Sequence, residues 1–458
     1  MGEGRPDWVP DAVFYQIFPD RFRNGDPAND PPETVAWGTE PDRTHFQGGD
    51  LAGIRQGLPY LGDLGVNALY LTPIFAAGST HRYDTHDYLR VDPALGDEAT
   101  LTALVGDAHA GGIRVMLDGV FNHGGDGFGP FRDLLANGAD SLWRDWFVPT
   151  SFPLERDPPN YQTCGGAAFL PKLNTSNPEV AAYLIGVGTY WLERAGIDGW
   201  RLDVPWKVPR AFWIAFRDAI KSRRPDAFLA GEFWRGADDW LDVFDGAMNY
   251  PLRDCILDFC VRDDMDAEDF AYETDRLFAS PAAPWQLNLL GSHDTARLLT
   301  VCQGDEERAI LAMTAMLIAP GAPMIYYGDE IGLLGENDPE CRGPMAWDVD
   351  RRQSPIFTAC RRLIALRHEL TALRRGSWEP LVVFNGLFAV LRRHTDGDVL
   401  AILNPRDARR DVRVAVWGRD GIWIDRLSGR GYRVRDGWLV VQEVPRARAM
   451  ILVPERSA

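Results

Sequence analysis

Eight short apolar runs, each ending in charged or polar residues and followed by a stretch of helical pattern, constrain this chain more than any other feature. They are AVFYQIFPDRF (12–22), VNALYLTPIF (66–75), GIRVMLDGVFNH (112–123), IDGWRLDVPW (197–206), AFLAGEFW (227–234), FDGAMNYP (244–251), WQLNLLGSHD (285–294) and APMIYYGDEIG (322–332). Helical patterns such as 100–112 and 177–196 lie between them, the second announced by Ser-Asn-Pro. Eightfold alternation of strand and helix predicts an α/β fold, the (β/α)8 TIM barrel. An open doubly wound sheet would carry a phosphate-binding glycine fingerprint after its first strand, and none is there.

Two segments break the rhythm. Residues 123–172 are rich in Gly, Pro, Asp and aromatic residues and read as a small inserted domain after the third strand. Beyond residue 375, runs such as 398–404, 411–418, 437–444 and 448–453 alternate like an antiparallel sheet. The expected division is therefore 1–122 and 173–375 for the barrel, 123–172 for the inserted domain, and 376–458 for a C-terminal antiparallel β-sandwich.

The excess of acid, 66 Asp plus Glu against 48 Lys plus Arg, repels phosphate backbones and anionic lipid, so neither nucleic acid nor membrane is an expected partner. No run has the apolar length of a membrane span, and the first residues lack the pattern of a signal peptide. Six cysteines without paired metal-ligand spacing fit a reducing cytoplasm. Lysine occurs only at 172, 207 and 221, which reads as compositional bias.

Arg201 and Asp203 are two apart in a run that reads as a buried strand, so they share a face and can meet. Asp203, Glu232 and Asp294 end the fourth, fifth and seventh runs. The chemistry of such a barrel gathers at the C-terminal ends of its strands, so all three acids arrive at one rim. With His123, Arg201 and His293 beside them they suit glycosidic bond cleavage, in which one carboxyl protonates the leaving oxygen and another attacks or activates water. Arg201 is expected to keep Asp203 ionised, and the apolar neighbours of Glu232, Phe233 and Trp234, to keep that acid protonated. Asp118 reads as a structural partner of Arg201, and Asp329 and Glu330 as rim hydrogen bonding.

DGVFNH (118–123), GWRLDV (199–204), AGEFW (230–234) and LLGSHD (289–294) resemble, in order and spacing, the four signature regions of the α-amylase family, glycoside hydrolase family 13. The resemblance implies Asp203 as nucleophile, Glu232 as acid/base and Asp294 as stabiliser of the distorted sugar. It implies that His123, Arg201 and His293 hold that sugar, Tyr83 lies under it, and Asp338 and Arg342 bind the next. LPKLN (170–174) and residues 231–254 resemble the neopullulanase, cyclomaltodextrinase and maltogenic amylase group. That group usually begins with an N-terminal β-domain that supports dimers; here the barrel starts near residue 10, and a monomer is expected. Pro-Trp-Lys (205–207) also departs from the group, so Trp206 and Lys207 are expected at the acceptor side, with Trp234 nearby.

NGDPAND (24–30), followed by GGD (48–50), packs oxygen side chains into a tight turn. On its residues alone this is either an Asx-rich turn or a Ca²⁺ loop. The resemblance implies a structural Ca²⁺ held by Asn24, Asp26, Asn29, Asp30, Gly48 and Asp50. A second family calcium site uses a His where Lys207 stands, and is not expected. The leading expectation is a retaining hydrolase of α-1,4 links in maltooligosaccharides, cyclodextrins, pullulan or starch, with α-1,6 links as a second class. A glucosyl transferase or isomerase using the same intermediate is the alternative within enzymes. A non-catalytic amylase-like binding subunit is the alternative outside them, and the complete acid set argues against it.

Overall fold

The computed structural model describes residues 4–347, 350–381, 383–384 and 386–455. Strands β1 (Phe14–Ile17), β2 (Ala68–Leu71), β3 (Arg114–Gly119), β4 (Gly199–Leu202), β5 (Phe228–Gly231), β6 (Gly246–Ala247), β7 (Leu287–Leu289) and β8 (Ala322–Tyr326) form one parallel sheet. Its order is β6-β5-β4-β3-β2-β1-β8-β7. A parallel bridge between Met248 and Leu287 joins the two edges and closes the barrel. Each strand lies inside one of the eight predicted runs.

Helices return the chain between strands, and most begin where an Asp or Asn side chain accepts from a free backbone N–H. Asp50 caps Leu51–Leu64, Asp97 caps Glu98–Ala110 and Asn177 caps Pro178–Arg194. The crossover from β5 to β6 departs from the pattern. Its polar stretch Arg235–Asp239 has no apolar period to bury, and a single 3-10 turn, Asp238–Trp240, stands where a helix would.

Alternation along the strands divides the barrel interior into layers. Phe14, Ala68, Met116, Phe228, Leu287, Ala322 and Met324 pack into one apolar cluster at the lower end. Two residues further along, on the same inward face, stand Gln16, Tyr70, Asp118 and Arg201, all buried. Asp203, Glu232 and His293 continue those inward positions past the strand ends. The backbone keeps pairing there, Asp203 N–H to Gly119 and Glu232 N–H to Leu202, so both acids inherit the barrel's geometry.

The inserted domain follows β3. A helix, Gly129–Asn137, and isolated bridges such as Phe147–Leu173 and Pro149–Tyr161 surround a small aromatic core of Phe128, Phe131, Trp146 and Phe147. A bridge between His123 and Lys172 closes its neck. A two-stranded hairpin, Phe75–Ala77 with Thr85–Val91, rises after β2 and carries Tyr83 in its turn.

The C-terminal strands form one antiparallel sheet that folds over its own core as a sandwich. Ala389, Leu391, Leu400 and Ile402 face that core, while their neighbours Phe388, Val390, Ala401 and Leu403 join the core of the barrel unit. Val382 and Asn385 of the expected run 381–393 lie outside the described residues.

Candidate active site

Arg201 stands at the centre of the site because its strand register places it there. It pairs with Asp118 across β3 and β4, and its guanidinium bonds both Asp118 oxygens at 2.9 and 3.1 Å. The same Nη1 donates to Asp203 at 3.0 Å, and Nη2 lies 3.1 Å from Glu232. One cation therefore serves three buried carboxylates. Asp118 and Asp203 were the expected partners; Glu232 is the addition, and the expectation that Arg201 holds Asp203 in the low range is corrected. Burial pushes the Asp203 carboxyl well up; Arg201 pulls it back, and Glu232, Asp118 and Asp294 add to the push.

Glu232 has polar surroundings, contrary to the apolar setting expected from Phe233 and Trp234. Trp234 Nε1 donates to Oε1 at 3.0 Å and the Val204 N–H to Oε2 at 3.0 Å. Phe233 turns away to pack near Trp206, Trp240 and Phe244. Val204 has φ 35°, a left-handed backbone that costs a β-branched residue about 1–3 kcal/mol. That bend, directly after Asp203, accompanies the aiming of its N–H at Glu232. Trp234 is itself stacked on Tyr250, ring centroids 4.0 Å apart.

His293 is buried and held by three partners. Its Nδ1 lies 2.7 Å from Gln16 Nε2, and its Nε2 lies 2.6 Å from Tyr83 Oη and 3.0 Å from Asp294. Tyr83 donates to Asp118 at 2.9 Å, so its oxygen is free to accept from His293 Nε2–H. Burial, with Arg342 and Arg201 nearby, keeps this imidazole neutral, far below its ordinary range. Asp294 is also bonded by Arg342 at 3.2 Å, and Arg342 reaches Asp338 at 3.0 Å. The residues assigned to adjacent sugars thus form one chain of contacts from Tyr83 to Asp338. Arg43 extends it, donating to Asp338 at 3.1 Å.

His123 is buried at the neck of the inserted domain, and its Nε2 has no hydrogen-bond partner. Trp206 and Lys207 follow Asp203 on a short 3-10 turn and are both exposed, with Trp206 beside Phe233. Asp118 is the Arg201 partner the sequence implied. Asp329 and Glu330 are elsewhere: Asp329 pairs with Arg297, and Glu330 accepts from Tyr15 and Tyr60 at 2.7 and 2.6 Å. Tyr15 faces outward from β1, so these acids lie behind the barrel wall, which corrects their reading as rim groups. Gln16, Tyr70 and Tyr250 were not anticipated. The first two were within reach, since both occupy inward positions two residues after Phe14 and Ala68.

The 24–50 loop does bring its six residues together. Asn24 Nδ2 donates to Asp30 at 2.8 Å, and Asn29 Nδ2 to Asp50 at 3.2 Å. Asp50 also accepts from the Asp26 and Gly53 N–H groups, while Asp26 caps the turn Pro27–Asn29. Gly48 has φ 80°, and a side chain there would stand 2.6 Å from both Asn24 Nδ2 and Asp30 Oδ1. The buried oxygens Asn24 Oδ1 and Asn29 Oδ1 lack partners. Burial raises the Asp30 carboxyl; Asn24 opposes that, and Asp50, Asp20 and Asp26 reinforce it. Among the described residues no group of three His, Cys, Asp or Glu stands at metal-holding spacing, so any ion here would depend on amide and backbone oxygens as well.

A closed (β/α)8 barrel with three acids, an arginine and two neutral histidines at its C-terminal mouth defines a glycoside hydrolase. The α-amylase catalytic-domain model matches residues 16–374, and the chain belongs to the α-amylase family. It is 46% identical over 452 residues to a cyclomaltodextrinase of Geobacillus thermopakistaniensis, covering 96% of this chain and 76% of that one. Neopullulanase 2 of Thermoactinomyces vulgaris is 45% identical, covering 95% and 76%. The cyclic α-maltosyl-(1→6)-maltose hydrolase of Arthrobacter globiformis, solved with its cyclic substrate, superposes with TM-score 0.89 at 40% identity, covering 98% of this chain and 99% of that one.

Proposed function

We propose that this glycoside hydrolase cleaves α-1,4 links of short and cyclic α-glucans with retention of configuration, through a covalent glucosyl-enzyme. The single observation that supports it most is the Arg201 guanidinium facing Asp118, Asp203 and Glu232 together. Three buried carboxylates facing one cation are short of positive charge, so the set retains a proton. In this reading Asp203 attacks the anomeric carbon while Glu232 gives its proton to the departing oxygen. Glu232 then takes a proton from water as that water's oxygen displaces Asp203. Asp294 faces the developing positive charge, held by His293 and Arg342. Tyr83 lies under the ring, His123 and His293 bind its hydroxyls, and Asp338 with Arg342 receives the next sugar.

For the substrate, the near-complete mutual coverage with the Arthrobacter enzyme favours a small ring over long starch. The chain should therefore open cyclic maltosyl-maltose or β-cyclodextrin faster than it cuts soluble starch. Product analysis on those two rings, maltotriose, pullulan and starch tests this, and starch as the preferred substrate would sink it. Transfer to a second sugar, the alternative outcome of the same intermediate, would appear as products longer than the substrate.

We assign the division 1–122, 123–172, 173–375 and 376–458 to the chain, as a monomer in the cytoplasm. The free state of all six cysteines fits that compartment, and among the described residues no helix is long and apolar enough to cross a membrane. For the 24–50 loop we propose Ca²⁺. Partnerless amide oxygens on Asn24 and Asn29, the Asp30 carboxylate and the Gly48 cradle fit a hard cation, with Asp26 and Asp50 completing the set. When bound it supplies a cross-link between the loop and the first helix. Chelation should then lower the melting temperature, and Asp26→Ala should erase that response. An unmoved melting curve with no calcium by elemental analysis leaves an Asx turn.

A further inference from the structure

The seam between the inserted domain and the barrel is closed by an ammonium. Lys172 Nζ lies 2.7 Å from Asn122 Oδ1 and 2.7 Å from the backbone carbonyl of Lys207. Asn122 is buried just past β3, and its Nδ2 lies 3.2 Å from His123 Nδ1. An ammonium has three donors and no acceptor, so the Asn122 atom that faces it must be the amide oxygen. The NH₂ group must then face His123. Since that group can only donate, Nδ1 accepts, and the ring proton sits on Nε2. Nε2 is a buried ring nitrogen without a well-formed hydrogen bond in the protein, and the Tyr83 backbone carbonyl is near enough to the imidazole to act on it.

The choice of lysine is informative. Only three of the 48 basic residues are lysine, and Lys221 likewise bonds backbone, at 2.6 Å from the Ala227 carbonyl. A chain that uses arginine almost everywhere has a compact ammonium where small oxygens converge in a half-buried seam. Burial also pushes His123 down to about 3, with the Tyr83 carbonyl opposing. Its imidazole is therefore neutral in ordinary buffers, and its tautomer, not its charge, is the variable left to set.

We infer that Lys172 is a positioning residue: by holding Asn122 in one amide orientation it fixes His123 as the Nε2–H tautomer, leaving one buried donor for a ligand hydroxyl. Through the Lys207 carbonyl the same ammonium ties that orientation to the loop after Asp203. Inserted domain, β3 and the nucleophile loop thus share one fastening. The identity of the ligand rests on the α-glucan reading; the tautomer does not.

The test is ¹⁵N spectroscopy of the full chain labelled at histidine, where eight residues contribute and His123→Asn identifies the relevant pair of signals. Wild type should show His123 protonated at Nε2 and bare at Nδ1. In Asn122→Asp both oxygens can only accept, so the carboxylate should pair with Lys172 and draw the proton to Nδ1, inverting the pattern. Lys172→Met should give a mixture of tautomers, with kcat/KM on a small maltooligosaccharide lowered about tenfold, as for one misplaced hydrogen bond. A wild-type His123 protonated at Nδ1, or an unchanged pattern in Asn122→Asp, overturns the inference. A pure Nε2–H signal in Lys172→Met reduces Lys172 to a clamp and overturns it as well. If that variant fails to fold, the other two spectra decide. The expected spectra on a protein inert towards α-glucans would refute the substrate reading and leave this one standing.

Discussion

The two ends of the barrel interior are built from the same strands and differ in almost every physical respect. At the lower end Phe14, Ala68, Met116 and Phe228 bury apolar surface with no polar group to satisfy. Two residues along, Gln16, Tyr70, Asp118 and Arg201 bury polar groups that bond one another and the residues of the mouth, Tyr70 and Arg201 to Asp118, Gln16 to His293 and Arg201 to Asp203. The lower layer holds the fold together, at about 1.5–3 kcal/mol for each large side chain fully buried. The upper layer stabilises little, because desolvation offsets most of what its ion pairs return. Rigidity below therefore supports charge crowding above, and changes in the two layers should separate stability from rate.

The largest separation is expected at the mouth. Asp203→Asn and Glu232→Gln should each lower hydrolysis by several orders of magnitude, with the fold retained. Asp203→Asn should also raise the melting temperature at neutral pH. A carboxyl whose folded pKa is raised costs stability once pH rises past its unfolded value of about 3.9, and the amide removes that cost. Its upward shift also places the acidic limb of the wild-type pH profile above the ordinary carboxylate range. More than about a tenth of wild-type activity in either variant would remove that residue from its role, given the ~10²–10⁴-fold typical of acid–base catalysis alone.

Below, the reverse should hold. Met116→Ala deletes a buried side chain from the apolar layer and should cost about 2–5 kcal/mol. Denaturant melts would register the loss, while kcat at a temperature where the variant is folded stays near wild type. A large drop in kcat with stability unchanged would mean the layers are not separable.

This contrast also marks what was legible in the sequence. All eight strands and the acids at their ends could be read from alternation and spacing, because each depends on neighbours along a strand; the Asp118–Arg201 pair lies across β3 and β4, and was legible because each residue holds an inward position near the end of its strand. The sharing of Arg201 by Glu232 was not read, since it depends on the parallel register of β4 and β5, which pairs Arg201 with Ala230 and sets Glu232 one inward step beyond it, 31 residues away in sequence. Nor was the setting of Glu232, where the backbone bend at Val204 and the Trp234 indole replace the apolar surface its neighbours implied. Gln16 is the instructive omission. Its contact with His293 spans 277 residues, yet counting by two from Phe14 would have placed it at the mouth.

A smaller effect should follow from acid. His123, held at about 3, and His293, also held low, stay neutral in the fold, whereas each takes up a proton near 6.5 when unfolded. Between those values the unfolded chain binds more protons, so stability rises with pH and is lost as pH falls from about 6.5. Each histidine contributes up to about 1.4 kcal/mol per pH unit within that window. The melting temperature should therefore drop between pH 7 and pH 5, and His123→Asn should flatten the slope. An equal slope in the variant would mean that His123 titrates normally, and the contrast between a pH-sensitive upper layer and an inert lower one would be lost.

The smallest expected change lies outside both layers. Trp206 lies on the short turn after Asp203, is 42% exposed and packs beside Phe233, so it belongs neither to the apolar floor nor to the charged mouth. An exposed indole offers an apolar face to a glucose ring, while the neighbouring Lys207 ammonium can donate to its hydroxyls. Sugars arriving as acceptors would meet these groups only after the covalent step. Trp206→Ala should then leave stability within about 0.5 kcal/mol, as at most exposed positions, and leave single-turnover glucosylation near wild type. The ratio of transfer to hydrolysis products at high maltotriose should fall. Unchanged product ratios together with a clear loss of melting temperature would return Trp206 to the packing of the β5 loop, and the acceptor side would have to be sought on the inserted domain.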